Sequence, residues 1–269
     1  MFKALKAAFS FFTIIPTRDP AFTPDMIAYI PLTGIMGGLI AAVIYFFTYD
    51  SSRYFASILA ILSILIFNGL NHVDGVIDTG DALMVRDPVR RKEVIKDHCT
   101  GSGGLFAFFS VYFVPIVALF SFSRIIGSAV IFAAEITAKS VIMISLYNSK
   151  PFTEGLGKIF IEFFSKRKIT YAFEAVIIPL IVSCIFSIEM LIPLALTFVI
   201  AALIKKRISG IFNGINGDIL GFIGELSRMI FILVALFIFF YIRTSTFDIF
   251  SNISSSLVSY GIGLSSLMK

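Results

Sequence analysis

Seven mainly apolar stretches, separated by shorter polar segments, run through the chain. Each approaches the roughly 20 apolar residues that a helix needs to cross the hydrocarbon core of a bilayer. The pattern therefore predicts seven transmembrane helices, of which the fifth and sixth follow each other directly. Their predicted bounds are residues 31–49, 54–71, 105–122, 125–146, 172–187, 188–204 and 219–242.

The two ends of the chain differ from these stretches. The apolar segment after Lys3 and Lys6 is short, ends at Pro16 and has no small-residue cleavage site. We interpret it as an interfacial or partly inserted helix rather than a signal peptide. Residues 244–269 are serine-rich and only moderately apolar, and we expect a surface helix or an eighth span there.

The composition supports this interpretation. Of 269 residues, 58% are apolar and 14% are charged, whereas soluble domains are about 45–50% apolar and about 25% charged. The same values exclude disordered, coiled-coil, collagen-like and nucleic-acid-binding chains. The only two cysteines, Cys99 and Cys184, lack the spacing of a disulfide framework or a zinc site. We therefore predict a single all-α polytopic membrane domain over residues 1–269.

The positions of the basic residues predict how the domain is oriented. With a cytoplasmic N-terminus, 17 of the 22 basic residues fall on the inner side and four on the outer side, and Lys139 lies inside a span. This bias indicates a multi-pass protein of the cytoplasmic membrane with its N-terminus inside. The net charge of +5 is then explained by cytoplasmic loops. The polar segments 72–104, 147–171 and 205–218 are predicted to be loops at that face.

The strongest chemical signal is a row of aspartates after the second predicted span. Asp74, Asp78 and Asp81 have the spacing i, i+4 and i+7, which places them on one face of a helix. Like charges at this spacing repel, and a hard divalent cation such as Mg²⁺ or Mn²⁺ would neutralise them. The alternative is a solvated acidic loop.

A second acidic pattern begins the last predicted span. Asp218, Gly221 and Glu225 follow a glycine-containing turn at Gly217. An ionisable residue inside a span, such as Glu225, is costly and usually functional. Asp218 alone could be only a helix cap or a partner of the helix dipole. Both acids lie on the predicted side of the aspartate row, so one acidic site built from two helices is expected.

A third signal precedes the third predicted span. Lys96 and Asp97 are followed by Gly101 and Gly104, and glycines before a helix allow backbone N–H groups to bind phosphate. The glycines could instead serve close helix packing. The basic residues of segment 86–96 could contact either anionic lipid headgroups or a polyphosphate substrate. His72 and His98 are candidates for a general base or for a structural hydrogen bond.

Carboxylates for a metal, together with glycines and basic residues for phosphate, indicate phosphoryl transfer at a membrane surface. Residues 72–81, HVDGVIDTGD, resemble the signature of the cobalamin synthase (adenosylcobinamide-GDP ribazoletransferase) family. The similarity continues in order along residues 10 to 230. Its further parts are FTIIP at 12–16, PLTG at 31–34, the Glu93, Lys96, Asp97, Gly101 and Gly104 segment, EGLG at 154–157, and GDILG at 217–221 with Glu225.

The resemblance implies the last assembly step of the cobalamin nucleotide loop. Adenosylcobinamide-GDP would react with α-ribazole or its 5′-phosphate in the presence of Mg²⁺ and release GMP. Asp74, Asp78 and Asp81 would hold Mg²⁺ on the diphosphate. Asp218 and Glu225 would hold a second ion or orient the attacking hydroxyl. Phosphate and substrate contacts are expected from His72, Lys96, Asp97, Gly101, Gly104, Gly217 and Gly221.

Two other functions are compatible with acids on membrane helices. A CDP-alcohol phosphotransferase also uses aspartates, but its pattern requires Ala-Arg two residues after Asp-Gly. Here Asp78 and Thr79 stand at those positions after Asp74 and Gly75. An ion-coupled transporter would place its acids near the midplane and usually carries an inverted repeat, neither of which is evident. A homo-oligomer stays open.

Overall fold

The computed structural model describes residues 2–17, 22–97, 99–152 and 154–259, with side chains as far as 241. These residues form helices and no sheet, which confirms the all-α class. The α-helices are α1 (Phe2–Phe12), α2 (Ile30–Thr48), α3 (Arg53–Phe67), α4 (Asn71–Met84), α5 (Pro88–Val94), α6 (Ser102–Phe108), α7 (Val114–Leu119), α8 (Arg124–Ser145), α9 (Leu156–Ser165), α10 (Lys168–Phe186), α11 (Leu191–Phe212) and α12 (Gly217–Ser259). Two 3-10 segments precede α-helices: Pro24–Tyr29 lies before α2, and Ile188–Met190 lies before α11. A π-helical segment, Phe109–Phe113, joins α6 to α7.

Within the described residues, six helical segments are long and apolar enough to cross a membrane, and a bent pair of helices makes a seventh when it is taken as one span. The polytopic prediction is therefore confirmed, and every predicted span overlaps one of these segments. The six are Pro24–Thr48, Ser102–Leu119, Arg124–Ser145, Lys168–Phe186, Ile188–Phe212 and Gly217–Tyr241, and the bent pair is Arg53–Phe67 with Asn71–Met84.

The bend separates an apolar helix from a polar one. The axes of α3 and α4 differ by 96°, and Gly69 and Leu70 between them have the positive φ angles of 68° and 61°. A left-handed residue ends an α-helix, and glycine adopts this conformation without a Cβ penalty. As a result α4 turns away from α3 and packs against α6 and α12.

The polar segments are more helical than the sequence indicates. The loops predicted over 72–104, 147–171 and 205–218 contain α4, α5, α9 and the end of α11. Helices α4 and α9 bury small or apolar side chains, such as Val76 and Phe160, against neighbouring helices. Helix α5 buries none of its residues and begins at a side-chain cap formed by Asp87. Tertiary packing supplies helix stability that a search for long apolar stretches does not detect.

The central helix of the bundle is α8, which contacts α2, α10, α11 and α12. Its contact with α2 is close because Gly34 and Gly38 face it. A Cβ at Gly38 would lie 2.9 Å from the carbonyl oxygen of Phe132. This is the small-residue packing typical of membrane helices. It leaves most of α8 enclosed, including the charged residues Glu135 and Lys139.

The terminal segments are helical where they are described. The predicted N-terminal helix is α1, which buries Ala4, Ala7, Ala8 and Phe12. Residues 244–259 continue α12 rather than starting a separate helix. Residues 260–269, the rest of the segment expected to form a surface helix or an eighth span, lie outside the described residues.

Candidate active site

The aspartate row lies on α4, as its spacing predicts. Asp74 is exposed, and Asp78 and Asp81 are half-buried. The backbone of α4 meets the start of α12 so closely that a Cβ at Gly75 would lie 2.6 Å from the carbonyl oxygen of Asp218. This contact brings Asp74 and Asp218 close enough for their charges to repel each other. Asp218 of the second acidic pattern therefore joins the aspartate row at one site, whereas Glu225 lies elsewhere in α12.

Asn216 holds Asp218 at the beginning of α12. Its side-chain oxygen accepts the Ile219 N–H at 3.0 Å, and its side-chain nitrogen donates to Oδ2 of Asp218 at 2.7 Å. Asn216 thus supplies the side-chain cap of this helix, a function that the sequence had offered for Asp218. Asp218 is consequently not required for capping.

Asp81 differs from the other members of the row because backbone amides surround its carboxylate. The N–H groups of Gly101 and Gly104 donate to it at 2.7 and 2.8 Å. A Cβ at either glycine would lie 2.5 Å from an oxygen of Asp81, so only glycine permits this contact. The amides predicted to bind phosphate here bind Asp81 and join α4 to the start of α6. A metal-ligand role for Asp81 and a phosphate-binding role for Gly101 and Gly104 stay predictions.

The neighbouring turn and the basic segment are largely on the surface. Lys96 and Asp97 are exposed, and the Asp97 carboxylate accepts the N–H of Cys99 at 3.2 Å. Arg91 donates to the carbonyl oxygens of Val85 and Ile211 at 2.6–3.1 Å. It therefore ties α5 to the end of α11 instead of projecting toward lipid or substrate. His98 lies outside the described residues.

Glu225 belongs to a buried ring of charges. Arg228 binds it through both terminal nitrogens and donates from Nε to Glu135 at 2.6 Å. Lys139 Nζ lies 3.9 Å from Glu135 and 3.3 Å from Nδ1 of His72, which in turn lies 3.3 Å from Glu225. Two carboxylates and two cations thus balance one another in the interior, as buried charges require. A direct metal or hydroxyl contact for Glu225 stays a prediction.

Sequence reasoning missed three members of this ring. Arg228 had been counted with the basic residues of the inner side, which was wrong, because it is a buried residue of α12. Glu135 and Lys139 are four residues apart inside a span, and Glu225 and Arg228 are three apart. Charges inside a span usually pair with one another, so the spacing was the signal that could have found them.

A cavity of about 450 Å³ lies directly beside the two acidic helices. His72 and Asp218 form part of its wall, and so do Gly217 and Gly221. A Cβ at Gly221 would lie 3.3 Å from the Cα of His72, so the small residue keeps α4 and α12 close at this point. His72 is the one member of the buried charge ring that reaches the cavity.

The described residues do not contain a preformed group of three or more His, Cys, Asp or Glu side chains that could hold a metal ion. Mg²⁺ in phosphoryl-transfer sites is usually held by one or two carboxylates, with waters and substrate phosphates completing the shell. Asp74 and Asp218, which repel each other across the helix contact, fit such an open site, with Asp78 one turn further along α4. The donor atoms are all oxygens, as Mg²⁺ prefers.

The fold and this site define a polytopic all-α membrane protein with paired carboxylates beside a ligand-sized cavity. The chain belongs to the cobalamin-5-phosphate synthase family, whose model matches residues 4–236.

Similar proteins cover nearly the whole chain. An adenosylcobinamide-GDP ribazoletransferase of Thermoplasma volcanium is 44% identical over 96% of this chain and 100% of its own length. The enzyme of the same name from Thermoplasma acidophilum is 41% identical over 95% of this chain and 100% of its own length. That from Archaeoglobus fulgidus is 32% identical over 82% and 91%, respectively. No solved structure matches the chain significantly. Family membership thus favours a function in cobalamin assembly over the two alternatives, a CDP-alcohol phosphotransferase and an ion-coupled transporter.

Proposed function

We propose that this protein transfers the adenosylcobinamide phosphate group from adenosylcobinamide-GDP to α-ribazole or its 5′-phosphate and releases GMP. The observation that carries the proposal is the meeting of Asp74 and Asp218 beside a cavity, in a chain of the cobalamin-5-phosphate synthase family. Relatives that cover the chain from end to end are named for this reaction.

In the proposed reaction, a ribose hydroxyl of the acceptor attacks the phosphorus that is bonded to the cobinamide. The new phosphorus–oxygen bond forms as the bond to the oxygen of GMP breaks, and the hydroxyl proton leaves to a base. We propose His72 as that base, because it lines the cavity. With Nδ1–H donating to Glu225, 3.3 Å away, Nε2 would be the ring nitrogen that accepts the proton.

Mg²⁺ is the proposed cofactor, with Asp74, Asp78 and Asp218 as the residues that would hold it. When bound, it would neutralise the diphosphate and stabilise the charge that develops on the departing GMP. The chain's own contribution is to keep these carboxylates on two packed helices. Asp81 supports them indirectly, because its bonds to Gly101 and Gly104 fix the far end of α4.

We also propose that the protein is a multi-pass protein of the cell membrane with this site at the cytoplasmic face. Without Arg228, 16 basic residues remain on the predicted inner side against four on the outer side. The excess of basic residues on one side, which predicts the orientation, is therefore nearly the same when Arg228 is left out. The cavity is lined by the ends of α1, α8 and α12 on that side.

The direct test is turnover by the purified protein, both in detergent and in lipid nanodiscs. Incubation with cobinamide-GDP, Mg²⁺ and either form of α-ribazole should yield GMP and the joined corrinoid in equal amounts. Chelation of the metal with EDTA should stop the reaction, and added Mg²⁺ should restore it. Absence of GMP with both acceptors and in both environments would refute the proposal.

A further inference from the structure

The cavity beside His72 and Asp218 has a two-sided wall that indicates what it binds. One side is formed by aromatic and aliphatic side chains of α1, α8 and α9, and the other by polar groups at the start of α4 and α12. Resting on the proposed function, we propose that this cavity is the binding site of the acceptor nucleoside. The planar heteroaromatic base of α-ribazole lies against the aromatic side, and its ribose hydroxyls face His72 and Asp218.

Three phenylalanines form the aromatic side. The ring of Phe11 lies 4.8 Å from that of Phe12 and 4.9 Å from that of Phe160, and Phe12 and Phe160 are 5.8 Å apart between centroids. The rings meet edge to face or tilted, which is a favourable arrangement for aromatic groups. Phe12 and Phe160 are buried against their neighbours. An aromatic side chain can stack on a planar base regardless of the hydrogen-bonding pattern of that base.

The size of the cavity distinguishes the two substrates. At about 450 Å³ it lies in the range of about 300–1,000 Å³ that holds small ligands. A nucleoside fits this space, whereas a corrinoid carrying a guanosine diphosphate does not. The bulky donor must therefore approach from outside the cavity and present only its diphosphate to the carboxylates.

The composition of the wall also favours a ligand with a largely apolar surface. Among the described lining residues, Asp218 is the only carboxylate, and neither lysine nor arginine is present. Guanine would lose hydrogen bonds to water that apolar residues such as Leu146 and Ile142 cannot replace. The less polar base of α-ribazole does not incur this cost.

The polar side of the wall determines the orientation of the nucleoside. Asn71 and His72 start α4 and Asp218 starts α12, and the packing of these helices places Asp218 beside Asp74. A hydroxyl directed to this side lies next to the carboxylates that would handle the diphosphate. Orientation of the attacking group in this way removes much of the entropic cost of a two-substrate reaction.

The test measures acceptor and donor affinity separately in two variants. Phe160→Ala removes one of the three rings of the aromatic side, and Leu156→Trp fills space from a position that is 45% exposed and therefore tolerant of substitution. Each should raise the KM for α-ribazole by about tenfold, the scale of one lost base–aromatic stack, and change the KM for cobinamide-GDP by less than about twofold. Phe186→Ala is the matched control, because it removes a ring from a separate apolar pocket between α2, α8 and α10.

Direct binding separates this inference from the proposed function. Equilibrium dialysis of wild-type protein in nanodiscs, without donor and without Mg²⁺, should show saturable α-ribazole binding that GDP does not displace and that Phe160→Ala weakens. If wild-type protein turns over normally while both cavity variants retain its KM for α-ribazole, the cavity assignment is wrong and the function stands. If wild-type protein releases no GMP, the function itself fails.

Discussion

Two charged regions of the protein lie close together and differ in how their charges are balanced. We call them the open region and the closed region. In the open region, Asp74 lies next to the close contact of Gly75 with Asp218, and Asp218 forms part of a cavity wall whose described residues include no basic side chain. In the closed region, Glu135, Lys139, Glu225 and Arg228 neutralise one another in the interior. The acids of the closed region therefore have internal cations as partners. The acids of the open region are the ones for which we propose a metal ion and substrate as partners.

The comparison predicts its largest effect for substitution of an aspartate in the open region. Asp74→Asn should reduce turnover by at least about a hundred- to a thousandfold, the scale of losing one electrostatic contact to a transition state, without lowering the midpoint of thermal unfolding. Asp78→Asn should abolish GMP release in the same way. The matched control is Asp50→Asn, which alters an exposed aspartate paired with Arg124 away from the cavity. Near-normal GMP release by Asp74→Asn and Asp78→Asn would contradict the proposed metal site.

In the closed region, removal of one cation should affect folding first. Arg228→Met leaves Glu135 and Glu225 buried without their shared partner, and loss of one member of a buried pair costs about 3–5 kcal/mol. We expect a large drop in the thermal unfolding midpoint of the detergent-solubilised protein. The double variant Arg228→Met with Glu225→Gln should recover part of it, because Lys139 still balances Glu135. An unchanged unfolding midpoint in Arg228→Met would contradict the conclusion that Arg228 stabilises the buried Glu135 and Glu225.

The link between the regions is tested at the glycines around Asp81. Gly104→Ala would place a Cβ 2.5 Å from an oxygen of Asp81 and 2.7 Å from the side chain of Ile77. Separating α4 from α6 should cost about 1–3 kcal/mol and reduce turnover as well. Gly210→Ala is the control, since its Cβ meets open space in α11 and should stabilise slightly, by about 0.5–1 kcal/mol. Equal unfolding midpoints for the two variants would argue against the Asp81 contact.

The smallest effect is expected at an exposed ion pair. Glu154 accepts hydrogen bonds from Lys158 at 2.9 and 3.1 Å and raises the pKa of this lysine. A raised pKa in the folded state means that the contribution of the pair is present at neutral pH and is lost only as pH rises through the lysine pKa. Because water and salt screen exposed pairs, Lys158→Gln should change neither turnover nor the unfolding midpoint measurably. A clear loss in either measurement would show that this pair has a further partner.

The sequence was sufficient for the membrane architecture, since long apolar stretches have a direct physical meaning. It was also sufficient for the helical row of Asp74, Asp78 and Asp81 and for its association with Asp218. The polar helices α5 and α9 were not predicted, because both are too short to appear as long apolar stretches. Helix α5 depends on the side-chain cap of Asp87 and buries no residue, and α9 is stabilised by the packing of Phe160 and Phe164. The partners of Asp81 and Glu225 were also missed. A carboxylate looks the same in a sequence whether it binds a backbone amide, an arginine or a substrate.

The 96° bend between α3 and α4 has a consequence for how the protein is made. The 15 residues of α3 span about 22 Å, which is less than the roughly 30 Å hydrocarbon core, and the bend turns α4 away from the axis of α3. During synthesis α4 emerges without α12, its final neighbour, since Asp218 follows Asp74 by roughly half the chain. A nascent chain that stops before Gly217 carries the aspartate row and most of the membrane-spanning helices. The contact that brings Asp218 to the aspartate row forms only after α12 has been made and inserted.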